Sequence, residues 1–251
     1  GQKEAGMGIN VLVFGMTDNP GGMESCVMNY YRNIDKKEVH FDFLCNWEYM
    51  VYADEVMADG SRIYTIPKRS DDYKAYKEKM DEFFEKHAKD YDVLWYNTCT
   101  LANIDYLVYA KKYGIKKRII HSHNSGNETS KLRGMLHYIN KMRLSMYATD
   151  YWSCSMPASK YFFSNRIINS TRHHIINNAI QLQHFQYDKE KRKELRDKYN
   201  LNNKNVIGHI GRFQPQKNQE FLVEIFSRYL KQDNNAILML IGQGENEDKV
   251  K

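Results

Sequence analysis

Ile9-Asn10-Val11-Leu12-Val13-Phe14 is an apolar run of strand length. Gly15 stops it, and the turn Pro20-Gly21-Gly22 and a helical pattern over residues 23–32 follow. A fully buried strand that runs through a glycine turn into a helix opens a βαβ unit. The alternation continues outward from there. His40-Phe41-Asp42-Phe43-Leu44 and Arg62-Ile63-Tyr64-Thr65-Ile66 read as strands, the second closed by Pro67. Residues 72–89 carry Tyr73, Tyr76, Met80, Phe83, Phe84 and His87 at helical spacing. Asp92-Val93-Leu94-Trp95-Tyr96 is the next strand, residues 104–113 a helix ended by Gly114, and Arg118-Ile119-Ile120-His121 another strand. Residues 132–147 read as a long helix. Tyr151-Trp152-Ser153-Cys154 and His173-His174-Ile175-Ile176 read as short strands with a helix between them. This pattern predicts an α/β fold with a mostly parallel sheet covered on both faces. Such sheets bind ligands beyond the carboxyl ends of their strands, so the loops after Phe14, Tyr96 and His121 are where chemistry is expected.

The pattern then breaks and restarts. Residues 188–200 are highly charged and helix-prone, and Leu201-Asn202-Asn203-Lys204-Asn205 is a polar break. A strand at 206–210, a helix at 219–230 and a strand at 236–241 follow. The expected organisation is a first domain over 7–180, a linker with a helix over 181–205, and the beginning of a second domain over 206–251. One βαβ unit buries too little to close its own core, so the second domain reads as truncated. The alternative is that its strands extend the first sheet.

Of the 251 residues, 42% are hydrophobic and 27% charged, a globular composition that excludes a disordered chain. No apolar run approaches the roughly 18–20 residues of a membrane span. Residues 1–6 have no apolar signal region; they read as a cloning scar or loose tail, with the natural frame starting at Met7. Cys26, Cys45, Cys99 and Cys154 are far apart with no C-x-x-C pair, which argues against a disulfide framework or zinc site and for a reducing cytoplasm. The net charge is +6. From 206 to 251, Arg212, Lys217, Arg228, Lys231, Lys249 and Lys251 are balanced by Glu220, Glu224, Asp233, Glu245, Glu247 and Asp248. The surplus therefore lies in 1–205 and suggests an anionic partner. Nucleic acid is set aside, because no recognition helix, zinc finger or base-stacking motif stands out.

Five motifs carry candidate chemistry. Gly21 and Gly22 let backbone N–H groups approach an anion at a helix start, although an ordinary glycine turn is as good a reading. His121-Ser122-His123-Asn124 ends a strand. H-x-H spacing can bind metal, but no third ligand is identifiable, so His123 reads as a hydrogen-bonding or charge-stabilising group; a satisfied strand-end histidine is the commoner case. Gly211-Arg212-Phe213-Gln214-Pro215-Gln216-Lys217-Asn218 joins a strand end to a helix start and offers two fixed cations, Arg212 and Lys217. They suit a diphosphate, against the plainer reading of a solvated basic turn. Gly242-Gln243-Gly244-Glu245 is a second close-approach loop. Leu132, Met135, Leu136, Ile139, Met142 and Met146 share one face of the helix at 131–146, and Lys131, Arg133, His137, Lys141 and Arg143 lie elsewhere on it. A basic amphipathic helix can lie on an anionic membrane, but the expected arrangement is an apolar face on the core and a solvated back.

At Gly211-Arg212 and Lys217-Asn218 the sequence resembles bacterial family 4 retaining glycosyltransferases of the GT-B fold. Gly21-Gly22-Met23-Glu24-Ser25, Asn29-Tyr30-Tyr31-Arg32-Asn33-Ile34-Asp35 and Phe41-Asp42-Phe43-Leu44 resemble the opening of exopolysaccharide and capsule members. Ile119-Ile120-His121-Ser122-His123-Asn124 and Ile176-Asn177-Asn178-Ala179-Ile180 agree in order. The resemblance implies two Rossmann-like domains, the first holding the acceptor and the second a nucleotide-sugar, by default a UDP-sugar. It implies that Arg212 and Lys217 hold the donor diphosphate without a metal or other cofactor. Gly21, Gly22, Gly242 and Gly244 would line the donor site, and His123 would border the reacting sugar. The acceptor would be lipid-linked or saccharide, reached at the inner face of the plasma membrane through Arg133, Lys141 and Arg143. The family's E-x7-E motif would lie beyond Lys251, so the chain is expected to be a fragment. The competing reading is a non-catalytic module that binds anionic glycolipid or membrane.

Overall fold

Val11, Leu12 and Val13 are all buried, because successive side chains of a strand point to opposite faces and both faces of this sheet are covered. The computed structural model describes residues 8–126 and 130–250; the leading segment, the domain limits at Met7 and Lys251 and residues 127–129 lie outside them. The chain divides into two compact units, residues 1–181 and 182–251.

The first unit runs β1 (Ile9–Phe14), α1 (Gly22–Asn33), β2 (Val39–Cys45), α2 (Ala53–Ala58), β3 (Ile63–Thr65), α3 (Tyr73–His87), β4 (Val93–Thr98), α4 (Asp105–Lys112), β5 (Lys117–Ser122), α5 (Lys131–Arg143), β6 (Asp150–Ser153), α6 (Met156–Phe162), α7 (Asn165–Ile168) and β7 (His173–Ile175). The strands form a seven-stranded sheet in the order β3-β2-β1-β4-β5-β6-β7. Every pairing is parallel, and the register sets Phe14 beside Leu44 and Tyr96, and Asn97 beside His121. Leu12, Leu94 and Ile120 face Tyr76, Phe84, Tyr106 and Phe162. Val13, Trp95 and Ile119 face Val27, Met28 and Tyr31 on the other side. Asp42, buried in β2, accepts from the Arg62 backbone at 2.7 Å, Arg62 Nε at 2.9 Å and the Tyr91 hydroxyl at 2.8 Å. These bonds pin the β3 side of the sheet.

The helix expected at 132–147 is α5 followed by a 3-10 turn, Leu144–Met146. Its orientation overturns the expectation. His137, Asn140 and Leu144 are buried, while Leu132, Met135, Ile139 and Met142 are exposed. The polar residues win the inside because they have partners there. The Leu101 amide donates to His137 Nδ1 at 3.0 Å, and Asn140 Nδ2 donates to the Leu101 carbonyl at 2.7 Å. Lys141, expected on the outer surface, turns inward and donates to the carbonyls of Lys160 and Tyr161 at 2.7 and 2.9 Å, at the end of α6. Lysine near a helix C-terminus satisfies carbonyls that lack intrahelical donors.

The second unit contains α8 (Lys189–Lys198), β8 (Asn205–Ile210), α9 (Gln219–Tyr229), β9 (Ala236–Ile241) and α10 (Glu247–Val250). The segment expected as a linker belongs to it: Arg196 Nη2 donates to the carbonyls of Leu201 and Lys204. β8 and β9 pair in parallel as a separate two-stranded sheet, not as an extension of the first. Ile207, Ile210, Phe221, Ile225 and Ile241 are exposed, as expected of a sheet with so few neighbours.

Candidate functional site

Parallel sheets place ligands where strand order reverses, and here that point lies between β1 and β4. Gly15, immediately after β1, has φ +126°, and a Cβ there would lie 2.4 Å from the Asn97 carbonyl oxygen. Only glycine permits that approach. Asn97 is buried at the end of β4, and its Nδ2 donates to the carbonyls of Phe14 and Trp95. Its Oδ1 therefore faces His123 Nε2, 2.9 Å away, and accepts the Nε2 proton. His123 Nδ1 is then a lone-pair acceptor, buried and with no hydrogen-bond partner. The neighbouring His121 accepts from Trp95 Nε1 at 3.3 Å through its own Nδ1. Its Nε2 carries the proton and is also buried without a partner. The two rings lie 4.2 Å apart.

Burial disfavours the charged imidazolium. It lowers His123 to about 4 and, with the neighbouring His123 as a lesser cause, His121 to about 2. Both rings are neutral at physiological pH. One offers an acceptor and the other a donor, which is hydrogen-bonding chemistry rather than cationic charge. Elsewhere in the first unit, a cleft of about 500 Å³ is lined by Phe14, Asn46, Arg69, Thr98, Tyr106 and Arg133, among others, and by neither histidine. Arg69 pairs with Asp105 at 3.5 Å and remains half exposed.

Gly21 caps α1 and has no side chain to donate to. The carboxylate of Glu24 folds back instead, accepting from the Gly21 amide at 3.1 Å and the Thr17 hydroxyl at 2.7 Å. A Cβ on Gly22 would meet nothing within 4 Å, so packing within the chain does not demand glycine there.

In the second unit, Arg212 and Lys217 are both exposed in the turn between β8 and α9. Neither has a carboxylate partner among the described residues. Gln219, buried at the start of α9, donates to the Arg212 carbonyl at 2.7 Å and fixes the backbone beneath the guanidinium. The Lys217 stem passes within 3.6 Å of the position a Gly211 Cβ would occupy. Gly242 and Gly244 are exposed, but the direction a Cβ would take is filled at both. With φ of +154° and +158°, they press against the Gly211 and Phe213 backbone, where a Cβ would lie 2.0 and 2.4 Å from the respective carbonyl oxygens. Their loop braces the cation loop through Phe213 N to Gln243 O and Asn246 N to Phe213 O, both 3.0 Å.

His123 and the two glycines of α1 thus belong to the first unit, and Arg212, Lys217, Gly242 and Gly244 to the second. Arg133 walls the cleft, Arg143 is exposed on α5, and Lys141 serves α6. Sequence reasoning missed Gly15, Asn97 and Arg69. The register that sets Asn97 beside His121 is the signal that finds Asn97, and it exists only once strand order is known.

The family described as "Glycosyl transferases group 1" matches residues 191–251. "Putative glycosyltransferase EpsF" of Bacillus subtilis (strain 168) is 26% identical over 231 residues, covering 90% of this chain and 60% of the relative. The chain thus spans less than two thirds of that protein's length. Among solved structures, HepE of Anabaena in complex with UDP and glucose has a TM-score of 0.72 at 15% identity, over 96% of this chain and 64% of HepE. A glycosyltransferase of Rickettsia africae has a TM-score of 0.61 at 11% identity, over 97% and 70%. MnaA of S. aureus, solved with UDP, has a TM-score of 0.56 at 13% identity, over 97% and 64%. The fold is the α/β fold of GT-B glycosyltransferases that the sequence led us to expect.

Proposed function

We propose that the chain is the acceptor-side domain and the opening of the donor domain of a retaining glycosyltransferase. It takes a sugar from a UDP-sugar and passes it to a lipid-linked or saccharide acceptor in bacterial surface polysaccharide synthesis. The observation that carries the reading is the pair Arg212 and Lys217, held on a braced turn at the start of α9 with no carboxylate partner among the described residues. When the bond from the anomeric carbon to the diphosphate breaks, its electrons leave on a phosphate oxygen. Preorganised cations meet that charge at little reorganisation cost. The guanidinium supplies a planar fork and the ammonium a point charge, and the helix start adds a favourable dipole. No metal or other cofactor is required on this reading. His123, neutral and with Nδ1 unpartnered, is suited to accept from a sugar hydroxyl. Gly22 leaves room for a phosphate at the start of α1. The UDP complexes of HepE and MnaA support a UDP-linked donor, and the EpsF match supports a glycosyltransferase.

Calorimetric titration with UDP, on this chain and on one extended to the length of its relatives, tests the reading. Arg212→Ala with Lys217→Ala is expected to weaken UDP at least about a hundredfold, since hydrogen bonds to charged groups contribute about 1.5–3 kcal/mol each. Silence of the extended chain toward UDP and UDP-sugars would sink the assignment.

A further inference from the structure

The inward turn of the polar face of α5 has a consequence for the cleft of the first unit. Arg133, Leu136, His137 and Asn140 lie three and four residues apart in α5, so they share one face. His137 and Asn140 fasten that face to Leu101, through its amide and its carbonyl. Leu101 stands between Thr100 and Ala102, and both of these line the cleft. The two bonds therefore carry Arg133, one helical turn before His137, into the cleft wall.

Arg69 reaches the same cleft from the turn between β3 and α3. Asn46 fixes that turn. Its Nδ2 donates to the carbonyls of Ile66 and Pro67 at 3.1 and 3.3 Å, and its Oδ1 accepts from the Tyr106 hydroxyl at 2.8 Å. The Arg69 guanidinium lies over the Tyr73 ring, 5.5 Å from its centroid, and meets Asp105 through Nη1 at 3.5 Å. Asp105 also accepts from the Tyr76 hydroxyl at 3.3 Å. A pair of that length at a half-exposed site is weak, and a guanidinium carries several further N–H donors. Arg69 thus keeps donors for a ligand.

The remaining walls suit a sugar. Asn103 is held at both ends of its amide, donating to the Tyr76 hydroxyl at 3.2 Å and accepting from the Asp105 backbone at 2.8 Å. Thr98 Oγ1 accepts from the Thr100 amide at 3.2 Å. Fixed amides and hydroxyls offer directional partners to sugar hydroxyls, and Phe14, Tyr96 and Tyr106 add aromatic wall. A few placed polar groups among aromatic residues are the usual make-up of a small-molecule site. The described lining holds two guanidiniums and no carboxylate. A concave wall of one sign concentrates its field on the ligand, and a guanidinium fork matches the geometry of a carboxylate or a phosphate.

We propose that this cleft binds an anionic saccharide, with Arg69 and Arg133 holding its carboxylate or phosphate group, and that the acceptor of the transferred sugar is an acidic one. The acceptor role rests on the reading above that the first unit takes the acceptor.

Titration followed by NMR through the side-chain amides of Asn46 and Asn103 tests it, with glucuronic acid, glucose 1-phosphate, glucose and inorganic phosphate as probes. Both acidic sugars are expected to shift the amides and to be displaced by salt. Glucose and inorganic phosphate each lack half of the recognised chemistry and should bind at least about tenfold more weakly. The tighter acidic sugar identifies the anion as carboxylate or phosphate. Arg69→Ala and Arg133→Ala should each weaken the acidic sugars at least about tenfold, the loss of one charge-assisted contact, and leave glucose unchanged. Their melting temperatures should hold, because both side chains are exposed. Arg166→Ala, exposed on α7 and outside the cleft, should leave every affinity unchanged. Glucose bound as tightly as the acidic sugars, inorganic phosphate bound as tightly as glucose 1-phosphate, or unaltered affinity in either cleft variant would overturn the proposal. Silence toward both acidic sugars would overturn it even where UDP binds. Acidic-sugar binding by a chain extended to the length of its relatives that ignores UDP would instead overturn the donor reading and, with it, the acceptor role.

Discussion

The entry to α1 and the entry to α9 are built from the same plan, a parallel strand that passes through a turn into a helix, yet they carry opposite charge. After β1, the carboxylate of Glu24 sits inside the turn and takes the Gly21 amide. After β8, the turn presents Arg212 and Lys217, and a buried glutamine holds its backbone. Helix starts attract anions in general, so secondary structure alone cannot say which of the two meets a diphosphate. The side chains decide. One entry has satisfied part of its electrostatic demand internally, and the other adds to it. The two units also differ in closure. Seven strands bury Val13, Leu12 and Phe43 completely, while two strands leave Ile210 80% exposed.

The largest test of this contrast is steric. Gly242→Ala places a Cβ 2.0 Å from the Gly211 carbonyl oxygen at a φ of +154°. It is expected to cost about 3 kcal/mol or more and to loosen the cation loop. Faster hydrogen exchange in β8 and β9, with the first unit unchanged, is the readout. Uniform protection would mean that the two loops do not brace each other.

Asp42→Ala probes the closed sheet instead. It strands the Tyr91 hydroxyl and the Arg62 amide, at a cost of about 3 kcal/mol in thermal melting. Burial would raise the Asp42 carboxyl, but the hydrogen bonds from Arg62 and Tyr91 outweigh it and hold the group below 3.8. Its contribution is therefore present above pH 3.8 and lost as pH falls through its lower folded value.

The histidine pair sets a milder acid limit on the first unit. An unfolded histidine takes up its proton near 6.5, while folded His123 resists until about 4. Stability should fall as pH drops from 6.5 toward 4, by about 1 kcal/mol per histidine at pH 5.5. His123→Gln should flatten that slope in melts taken between pH 7 and 5; an identical slope would show that His123 is not buried as described.

Gly22→Ala completes the series with the smallest effect on stability, within about 0.5 kcal/mol, since the new methyl meets nothing within 4 Å. Any loss of UDP affinity in that variant then reports contact with ligand rather than folding, the opposite of what Gly242→Ala reports.

Much of the architecture was legible because buried parallel strands read as continuous apolar runs. Ile9-Asn10-Val11-Leu12-Val13-Phe14 and Asp92-Val93-Leu94-Trp95-Tyr96 announced themselves that way. The short helix α2 was missed, since six residues are too few for a helical period to show. The linker was misread because the charged surface of α8 hides the Arg196 bonds that tie it to the second unit. Gly242 and Gly244 read as close-approach residues, and the Gly211 and Phe213 backbone lies where their Cβ atoms would be.

The sequence by itself determined the α/β class and the cations of the 211–218 turn, because each depends on neighbours in the chain. Tertiary structure alone decided which face of α5 meets the core. A helical pattern states which residues share a face, but only the carbonyls of Leu101, Lys160 and Tyr161 could draw the polar face inward. It also decided the tautomer of His123, which is set by Asn97, a residue 26 positions away that strand order brings alongside.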